Sequence, residues 1–382
     1  MGPGLTTDGG ARERFGVAGP AAIEIDPDRA AWDAFVADSP RGSYLQTSAW
    51  AQVKAANGWS ALRFTGRAAG TGDPGARFGV QLLLRRPRPL PWAFAYAPRG
   101  PVLAEWSPAE LGSFTAALRA ALATSRARVS HVRIEPEVEM NGPSDEGGSF
   151  RRSLRACGWR PAVPIQPVRT RQLDLAVSEE VLWGGLRKKW RQYVNKARRD
   201  GVRVVDADGD RLSEFYSIYR ETARRAGFIV RTLDSYVGVW KAFSAAGMAR
   251  LLMAEDSSGT GLATLLVLRV GDRVIEPYGG MTAAGAESRA NYLLKWEAIR
   301  TSRERGARSY DMWGLSHEGI EHFKTGFGGR EVDYVGAWDL VLDPLGRLAF
   351  DWGGAIHDRI GRLRHGIRGY RGRNTVEAEA GE

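Results

Sequence analysis

Apolar and polar positions follow two spacings along this chain, and together they predict a mixed α/β protein. Short apolar runs predict strands at Phe78–Leu84, Phe94–Tyr96, Val129–Ile134, Leu251–Ala254, Leu262–Arg269, Val274–Tyr278 and Ser309–Trp313. Apolar positions three and four residues apart predict helices at Ala49–Ala56, Pro108–Ala123, Leu186–Arg199 and Glu287–Arg303. Ser107 before Pro108 is typical of a helix N-terminus, because serine caps the helix and proline suits its first turn.

The same order of elements occurs twice, which predicts a tandem duplication of one α/β unit. Each half contains a strand, a glycine-containing turn, a long helix and a further strand. The Pro-rich stretch Pro161–Pro167 is the predicted boundary, so the first domain is expected at 21–165 and the second at 166–335. The Gly-rich residues 1–20 are expected to be disordered.

The composition is that of a folded protein with a basic surface. The chain has 382 residues, of which 43% are hydrophobic and 26% charged, so two domains with sizeable cores are expected. A net charge of +10 favours a polyanionic partner, although an Arg-rich surface without a partner is the alternative. The single cysteine, Cys157, and the lack of a long apolar run predict a cytoplasmic protein without a membrane span.

Three motifs occur in order along the chain. They are Leu45–Lys54, Phe94–Val102, and Tyr310–Ser316 followed by Phe323–Gly329. In this order they resemble the FemABX family, which makes peptidoglycan interpeptide bridges from aminoacyl-tRNA. The resemblance implies an α/β fold of two tandem GNAT-like (acyl-CoA N-acyltransferase-like) domains, with residues 336–358 completing the first. No heptad insertion is found, so no inserted coiled-coil arm is expected.

The resemblance implies an acceptor site shared by the two predicted domains. Lys54 and Arg231 match family positions that contact phosphate of the cell-wall precursor, and both side chains suit phosphate oxygens. Tyr278 matches a position that lines the acceptor channel. The family's substrate-contacting tyrosine would fall on Ser235, and Tyr236 stands beside it. For Lys54 the alternative is a solvated helix lysine, and for Tyr278 it is an ordinary strand aromatic.

Two further positions are candidates for the chemistry. Glu135 closes a predicted strand, where it could act on a proton or simply cap a loop. Phe323 and Lys324 match the family's Phe-Lys pair, which lies where the tRNA 3′ end arrives. A fixed ammonium would stabilise the oxyanion formed during aminoacyl transfer, and an aromatic ring would stack on a terminal base.

The basic segment Leu186–Arg199 is the predicted tRNA contact, through Lys188, Arg191 and Lys196. A solvated helix face is the alternative. The segment Arg359–Arg373 is also Arg-rich, so residues 359–382 are expected to be a mobile basic-then-acidic tail, able to contact anionic lipid.

The sequence predicts no metal site and no cofactor, since the five histidines and one cysteine lack ligand spacing. We therefore expect a monomeric, cytoplasmic aminoacyltransferase, either free or peripheral at the inner membrane face. It would move an amino acid from aminoacyl-tRNA to an amine of a peptidoglycan precursor stem peptide. The precursor could be lipid-linked or UDP-linked. The alternatives are a GNAT-fold N-acyltransferase that uses acyl-CoA and a tRNA-dependent enzyme that tailors a small peptide. A non-catalytic polyanion-binding protein would also explain the charge.

Overall fold

A computed structural model describes residues 22–67, 77–140, 146–315 and 318–353. The first half contains β1 (Ala22–Ile25), α1 (Arg29–Asp38), α2 (Ser48–Ala55), β2 (Ser60–Arg67), β3 (Phe78–Arg85), β4 (Ala93–Ala97), β5 (Val102–Leu103), α3 (Pro108–Ala123), β6 (Val129–Ile134), α4 (Glu146–Ala156) and β7 (Arg160–Ala162). The second half contains β8 (Arg169–Asp174), α5 (Glu179–Gly185), α6 (Lys188–Arg199), β9 (Arg203–Ala207), α7 (Leu212–Ala226), α8 (Leu233–Ala245), β10 (Ala249–Glu255), β11 (Gly261–Val270), β12 (Arg273–Met281), α9 (Ala283–Glu287), α10 (Ala290–Glu304), β13 (Ser309–Gly314), α11 (Glu318–Thr325), β14 (Arg330–Asp333) and β15 (Ala337–Val341).

The strands form two sheets, and the predicted α/β fold class is confirmed. One sheet has the order β1-β2-β3-β4-β6-β15-β7, with β5 paired to β3, and the other has the order β14-β8-β13-β12-β11-β10-β9. Each sheet contains a parallel pair, β4 with β6 and β12 with β13, and in each case a long helix lies between the two strands in sequence. The remaining pairs are antiparallel.

The last described strand, β15, returns to the first sheet and lies between β6 and β7. The segment between β7 and β8 therefore leads from the first sheet to the second, and the chain crosses back after β14. The domain limits at 21–165, 166–335 and 336–358 stay a prediction. The expected N-terminal disorder at 1–20 and the tail at 359–382 lie outside the described residues.

Most predicted elements are confirmed, and the differences have local causes. Ser107 caps α3 as expected, because its hydroxyl accepts a hydrogen bond from the Glu110 N–H at 3.2 Å. The predicted helix from Glu287 is wrong at its start. Arg289 adopts a left-handed backbone with φ of 62°, so one short helix ends at Glu287 and α10 begins at Ala290. The basic helix begins at Lys188 and not at Leu186.

A buried cluster joins the two sheets and creates the setting of the candidate site. Tyr44 from the first part of the chain packs against Trp313 at the end of β13, with ring centroids 5.7 Å apart. Arg273 of β12 donates hydrogen bonds to the Glu137 carboxylate at 2.7 Å and to the Gly42 carbonyl at 3.0 Å. A buried charge must be paired, so this network holds the sheets in one arrangement. No helix within the described ranges is long and apolar enough to span a bilayer.

Candidate functional site

Two adjoining cavities lie where the sheets meet. The larger cavity has a volume of about 880 Å³, and the smaller cavity has a volume of about 80 Å³. They share a wall that includes Ile165, Tyr219, Pro277 and Trp313. Residues from the segment between the sheets, from α7 and from two strands of the second sheet therefore contribute to both spaces.

The smaller cavity brings together the two predicted phosphate contacts, Lys54 and Arg231. Lys54 is only 2% exposed, since α2 buries it between Trp50 and Trp59, with Nζ 5.6 Å and 5.3 Å from the two ring centroids. Burial, together with the positive charges of Arg231 and Arg85, lowers the pKa of Lys54 to about 7. Cations that lower the pKa of a neighbouring lysine create a region of strong positive potential.

Two tyrosines line the same cavity beside Arg231. The Tyr236 and Tyr278 rings meet edge to face with centroids 5.3 Å apart. The Tyr236 hydroxyl accepts a hydrogen bond from the Arg231 backbone N–H at 3.3 Å. Burial raises the pKa of Tyr236 above its ordinary value, so this hydroxyl stays neutral at physiological pH. The structure thus places four of the predicted acceptor-site residues in one cavity.

Glu135 lies outside both cavity linings. Its carboxylate accepts hydrogen bonds from the backbone N–H groups of Ile165 at 2.8 Å and Gln166 at 2.7 Å, and from the Tyr96 hydroxyl at 3.1 Å. Burial raises the pKa of Glu135. This geometry favours the loop-cap alternative, because the carboxylate holds the segment that forms the shared wall.

Lys324 lines the larger cavity from α11. Its Nζ donates hydrogen bonds to the carbonyls of Gly314 at 2.6 Å and Trp313 at 3.3 Å. These carbonyls turn toward α11 because Trp313 has a left-handed backbone with φ of 60°, and Asp311 accepts the Trp313 N–H at 2.7 Å. The ammonium is therefore held at the cavity wall by the turn that closes β13.

Phe323 also lines the larger cavity, and the basic helix α6 supports it. Its ring packs against Tyr292 and Phe327 at centroid distances of 5.1 and 5.2 Å. Its carbonyl accepts a hydrogen bond from Trp190 Nε1 at 3.0 Å. A Cβ on Gly326 would lie 2.2 Å from the Trp190 ring, so this contact requires glycine.

The three predicted tRNA contacts on α6 differ in their surroundings. Lys188 is exposed. Arg191 donates hydrogen bonds to the carbonyls of Gly184 and Leu186, each at 2.9 Å, and so caps the end of α5. Lys196 forms an ion pair with Asp200. The structure therefore leaves the three side chains unequally available to a polyanion.

Sequence reasoning missed a buried charged group in the larger cavity. Lys295 of α10 is 2% exposed and forms an ion pair with Glu276 of β12, and both line the cavity. The Tyr310 hydroxyl donates to the other Glu276 oxygen at 2.6 Å. Lys295 Nζ also lies 5.8 Å from the Phe323 ring centroid. A lysine within the apolar face of α10 and a glutamate within an apolar strand were the available signals.

No group of three or more metal-ligating side chains occurs in the part of the chain that the structure describes. His317, His357 and His365 lie outside that part. His322 lines the larger cavity, where its Nδ1 lies 3.3 Å from Arg187 Nη1. The described polar groups of the two cavities thus include fixed cations, the Glu276 carboxylate and the His322 imidazole.

Known proteins resemble this chain over most of its length. The chain is 23% identical to the Lipid II:glycine glycyltransferase of Staphylococcus aureus (strain MRSA252), over 83% of this chain and 92% of that protein. It is 22% identical to the protein of the same name from Staphylococcus haemolyticus (strain JCSC1435), with the same coverage of 83% and 92%. A crystal structure of FemX superimposes with a TM-score of 0.75 and 21% identity, over 85% of this chain and 99% of that one.

The crystal structure of FemX establishes the fold, since its identity to this chain is too low to carry more. The FemAB family model matches residues 28–256 and 246–349, which contain both cavities and every strand of the two sheets except β1. The match thus includes the segments that carry Lys54, Arg231, Phe323 and Lys324. This chain belongs to the FemAB family.

Proposed function

We propose that this protein moves an amino acid from aminoacyl-tRNA to the amine of a peptidoglycan precursor stem peptide. One observation carries the proposal. A cation-rich cavity with Lys54 and Arg231 adjoins a larger cavity with Phe323 and Lys324, and the two share a wall. Because the two cavities adjoin at these shared residues, substrates bound in them would lie close together. The relatives named Lipid II:glycine glycyltransferase support acyl transfer to a cell-wall precursor.

The smaller cavity suits the phosphates of the acceptor. Lys54 lies on α2 in the first half of the chain, and Arg231 lies between α7 and α8 in the second half. A diphosphate held by both side chains would therefore bind across the interface between the two halves. Bringing an anion beside Lys54 would offset the repulsion from Arg231 and Arg85. At about 80 Å³ this cavity must widen when it admits a diphosphate, and Tyr236 and Tyr278 are the rings that would move.

The larger cavity suits the aminoacyl end of the tRNA. Phe323 would stack on the terminal base, and Lys188, Arg191 and Lys196 would contact the phosphate backbone. Trp190 links this helix to the Phe323 carbonyl, so binding on α6 would be transmitted to the cavity wall.

The reaction requires no group beyond the substrates and these side chains. The neutral acceptor amine attacks the ester carbonyl carbon, and a C–N bond forms while the carbonyl oxygen becomes an oxyanion. The Lys324 ammonium stabilises that charge. Collapse of the intermediate breaks the C–O bond, and the proton lost from the amine passes to the leaving ribose oxygen. Positioning supplies much of the acceleration, because the ester is already activated.

The partner and location follow from the same proposal. We infer that aminoacyl-tRNA is the donor and that a lipid-linked precursor brings the protein to the inner membrane face, with a nucleotide-linked precursor as the alternative acceptor. The Arg359–Arg373 segment, which lies outside the described residues, would add attraction to anionic lipid.

The direct test is mass spectrometry of a stem-peptide precursor after incubation with tRNA, a synthetase mixture and each amino acid in turn. We expect one added amino acid on the precursor, abolished by ribonuclease. A product that requires acyl-CoA, or the absence of a product with every amino acid, would overturn the proposal. Lys324→Met is the matched inactive control, since it retains the side-chain length without the charge.

A further inference from the structure

The last described helix, residues 344–353, is apolar on two sides. Its inner side packs on the first sheet, where Phe350 contacts Phe94 and His131 at centroid distances of 6.3 and 5.5 Å. Its outer side carries Leu345, Leu348 and Trp352, which are 69%, 51% and 68% exposed. Large side chains this exposed are unusual, since water contact forfeits the free energy gained by burying them.

The three exposed side chains form one surface. Positions i, i+3 and i+7 lie on the same side of a helix, so Leu345, Leu348 and Trp352 project together. We call these three residues the outer stripe. Singly exposed apolar side chains are normal, but a contiguous group that includes tryptophan marks a surface that binds something.

The last described helix is connected to the rim of the larger cavity through side-chain contacts. Arg347 of the same helix forms an ion pair with Asp339, and Arg133 donates to Asp339 at 2.7 Å. Arg133 also donates to the Val163 carbonyl at 3.1 Å. Val163 is 75% exposed and lines the larger cavity. A continuous chain of contacts thus connects the helix to the cavity rim, which is itself apolar there.

The sequence beyond the helix extends the same pattern and adds positive charge. Ile356, Ile360, Leu363 and Ile367 continue the spacing of three and four residues. Arginines fall between them at 359, 362 and 364 and follow them at 368, 371 and 373, with one acid, Asp358, between residues 354 and 373. An apolar stripe alternating with arginine is typical of segments that lie on anionic membranes.

We propose that the outer stripe docks on the surface of an anionic lipid bilayer. Leucine and tryptophan insert into the boundary between headgroups and acyl chains, and the arginines that follow pair with lipid phosphates. An RNA partner would use the arginines and leave the leucines in water, so the apolar half of the surface favours lipid. The inference rests on the proposed function only in that a lipid-linked acceptor would make such docking useful.

The test is co-sedimentation of the full chain with vesicles of phosphatidylcholine, with and without phosphatidylglycerol. We expect binding to the anionic vesicles and a loss of at least tenfold in partitioning for Leu345→Ser/Leu348→Ser/Trp352→Ser. The matched control is Ile25→Ser/Val181→Ser, which removes apolar side chains that are 50% and 60% exposed elsewhere. Equal binding by wild type, triple variant and control would overturn the proposal.

A second variant separates charge from insertion. Arg359→Gln/Arg362→Gln/Arg364→Gln should weaken binding to anionic vesicles about fivefold for each charge and flatten its salt dependence. Three other results would each overturn the proposal. They are a concentration-dependent dimer lost in the triple variant, tRNA affinity lost in the triple variant, or a lower unfolding temperature of the triple variant, which would indicate that the chain itself covers the stripe.

Transfer to a water-soluble, nucleotide-linked acceptor distinguishes this inference from the proposed function. The triple variant should retain that transfer while it loses vesicle binding. Vesicle binding by a wild-type protein that transfers nothing would overturn the proposed function alone.

Discussion

The two cavities treat buried cations in opposite ways. In the larger cavity, Lys295 is paired with Glu276, and Lys324 is held by two carbonyls. In the smaller cavity, Lys54 lies near Arg231 and Arg85, and no described carboxylate lines the wall. A carboxylate and carbonyls thus face the cations of the larger cavity, whereas two arginines lie near Lys54 in the smaller cavity.

On our proposal, this difference lets one interface bind two different ligands. In the smaller cavity, burial and then the nearby arginines lower the pKa of Lys54 to about 7, and a bound anion would favour its charged form. In the larger cavity, the carboxylate and carbonyl partners hold each ammonium in place and weaken its attraction for other anions. A positioned cation is then available for the reaction. An ion pair within the protein offsets the cost of burying a charge in the larger cavity, and on our proposal substrate phosphate adds to that offset in the smaller cavity.

The largest expected effect on stability comes from breaking the Lys295–Glu276 ion pair. Lys295→Met leaves the Glu276 carboxylate buried without its cation and should lower the free energy of unfolding by about 3–5 kcal/mol. Adding Glu276→Gln should restore much of the loss, because it removes the orphan charge. Urea unfolding measures both variants. Lys196→Met, which breaks an exposed pair, is the control and should cost no more than about 1 kcal/mol; equal losses in the two single variants would contradict the comparison.

Loss of the Lys324 charge should slow the reaction without changing binding. Removing one preorganised oxyanion donor costs about 10²–10³ in rate, so Lys324→Met should lower kcat by that order while the acceptor KM and stability stay close to wild type. Lys324→Arg retains the charge in a different shape and should recover only part of the rate. Single-turnover kinetics decide the matter, and a wild-type rate for Lys324→Met would remove Lys324 from the mechanism.

The Lys54 and Arg231 charges of the smaller cavity should act mainly on acceptor binding. Lys54→Ala or Arg231→Ala should raise the acceptor KM by about 10- to 100-fold, as expected for one charge-assisted hydrogen bond, and leave tRNA affinity unchanged. Lys241→Ala, at an exposed position of α8, is the control and should have no effect. If both cavity variants bind the acceptor as wild type does, Lys54 and Arg231 do not bind its phosphates.

Acceptor affinity should depend on pH through Lys54. The free protein's Lys54 is cationic below about pH 7 and neutral above it, and only the cation attracts phosphate. The acceptor Kd should therefore be flat below pH 7 and rise by up to about tenfold per pH unit above it. Calorimetry measures this directly. Lys54→Arg, which stays charged, should flatten the profile; an unchanged profile would assign the titration elsewhere.

The smallest effects concern α6. Lys188→Gln should reduce the salt slope of tRNA binding by about 0.7–0.9, the value for one phosphate contact. Lys196→Gln should reduce it less, because Asp200 already neutralises that charge. Filter binding over a range of salt concentrations measures the slopes. Identical slopes for wild type and Lys188→Gln would indicate that this face of α6 is solvated and does not contact tRNA.

Much of the fold could be predicted because its signals are local. Ser107 and Pro108 begin α3 through contacts within one turn, and the apolar run at Leu262–Arg269 sufficed to place β11. The left-handed Arg289 escaped prediction, since nothing in the residue type demands that conformation. The candidate roles of Lys54, Arg231, Phe323 and Lys324 came from motif resemblance and not from periodicity.

The sequence by itself determined which segments become strands and helices, and which motifs they carry. Only the tertiary structure decided which charges meet. Glu276 and Lys295 pair, and Lys54 lies near Arg231, because packing removes these side chains from water and brings together residues far apart in the chain. Desolvation and Coulomb interactions depend on those distances and that burial, and neither quantity is a property of a local sequence pattern.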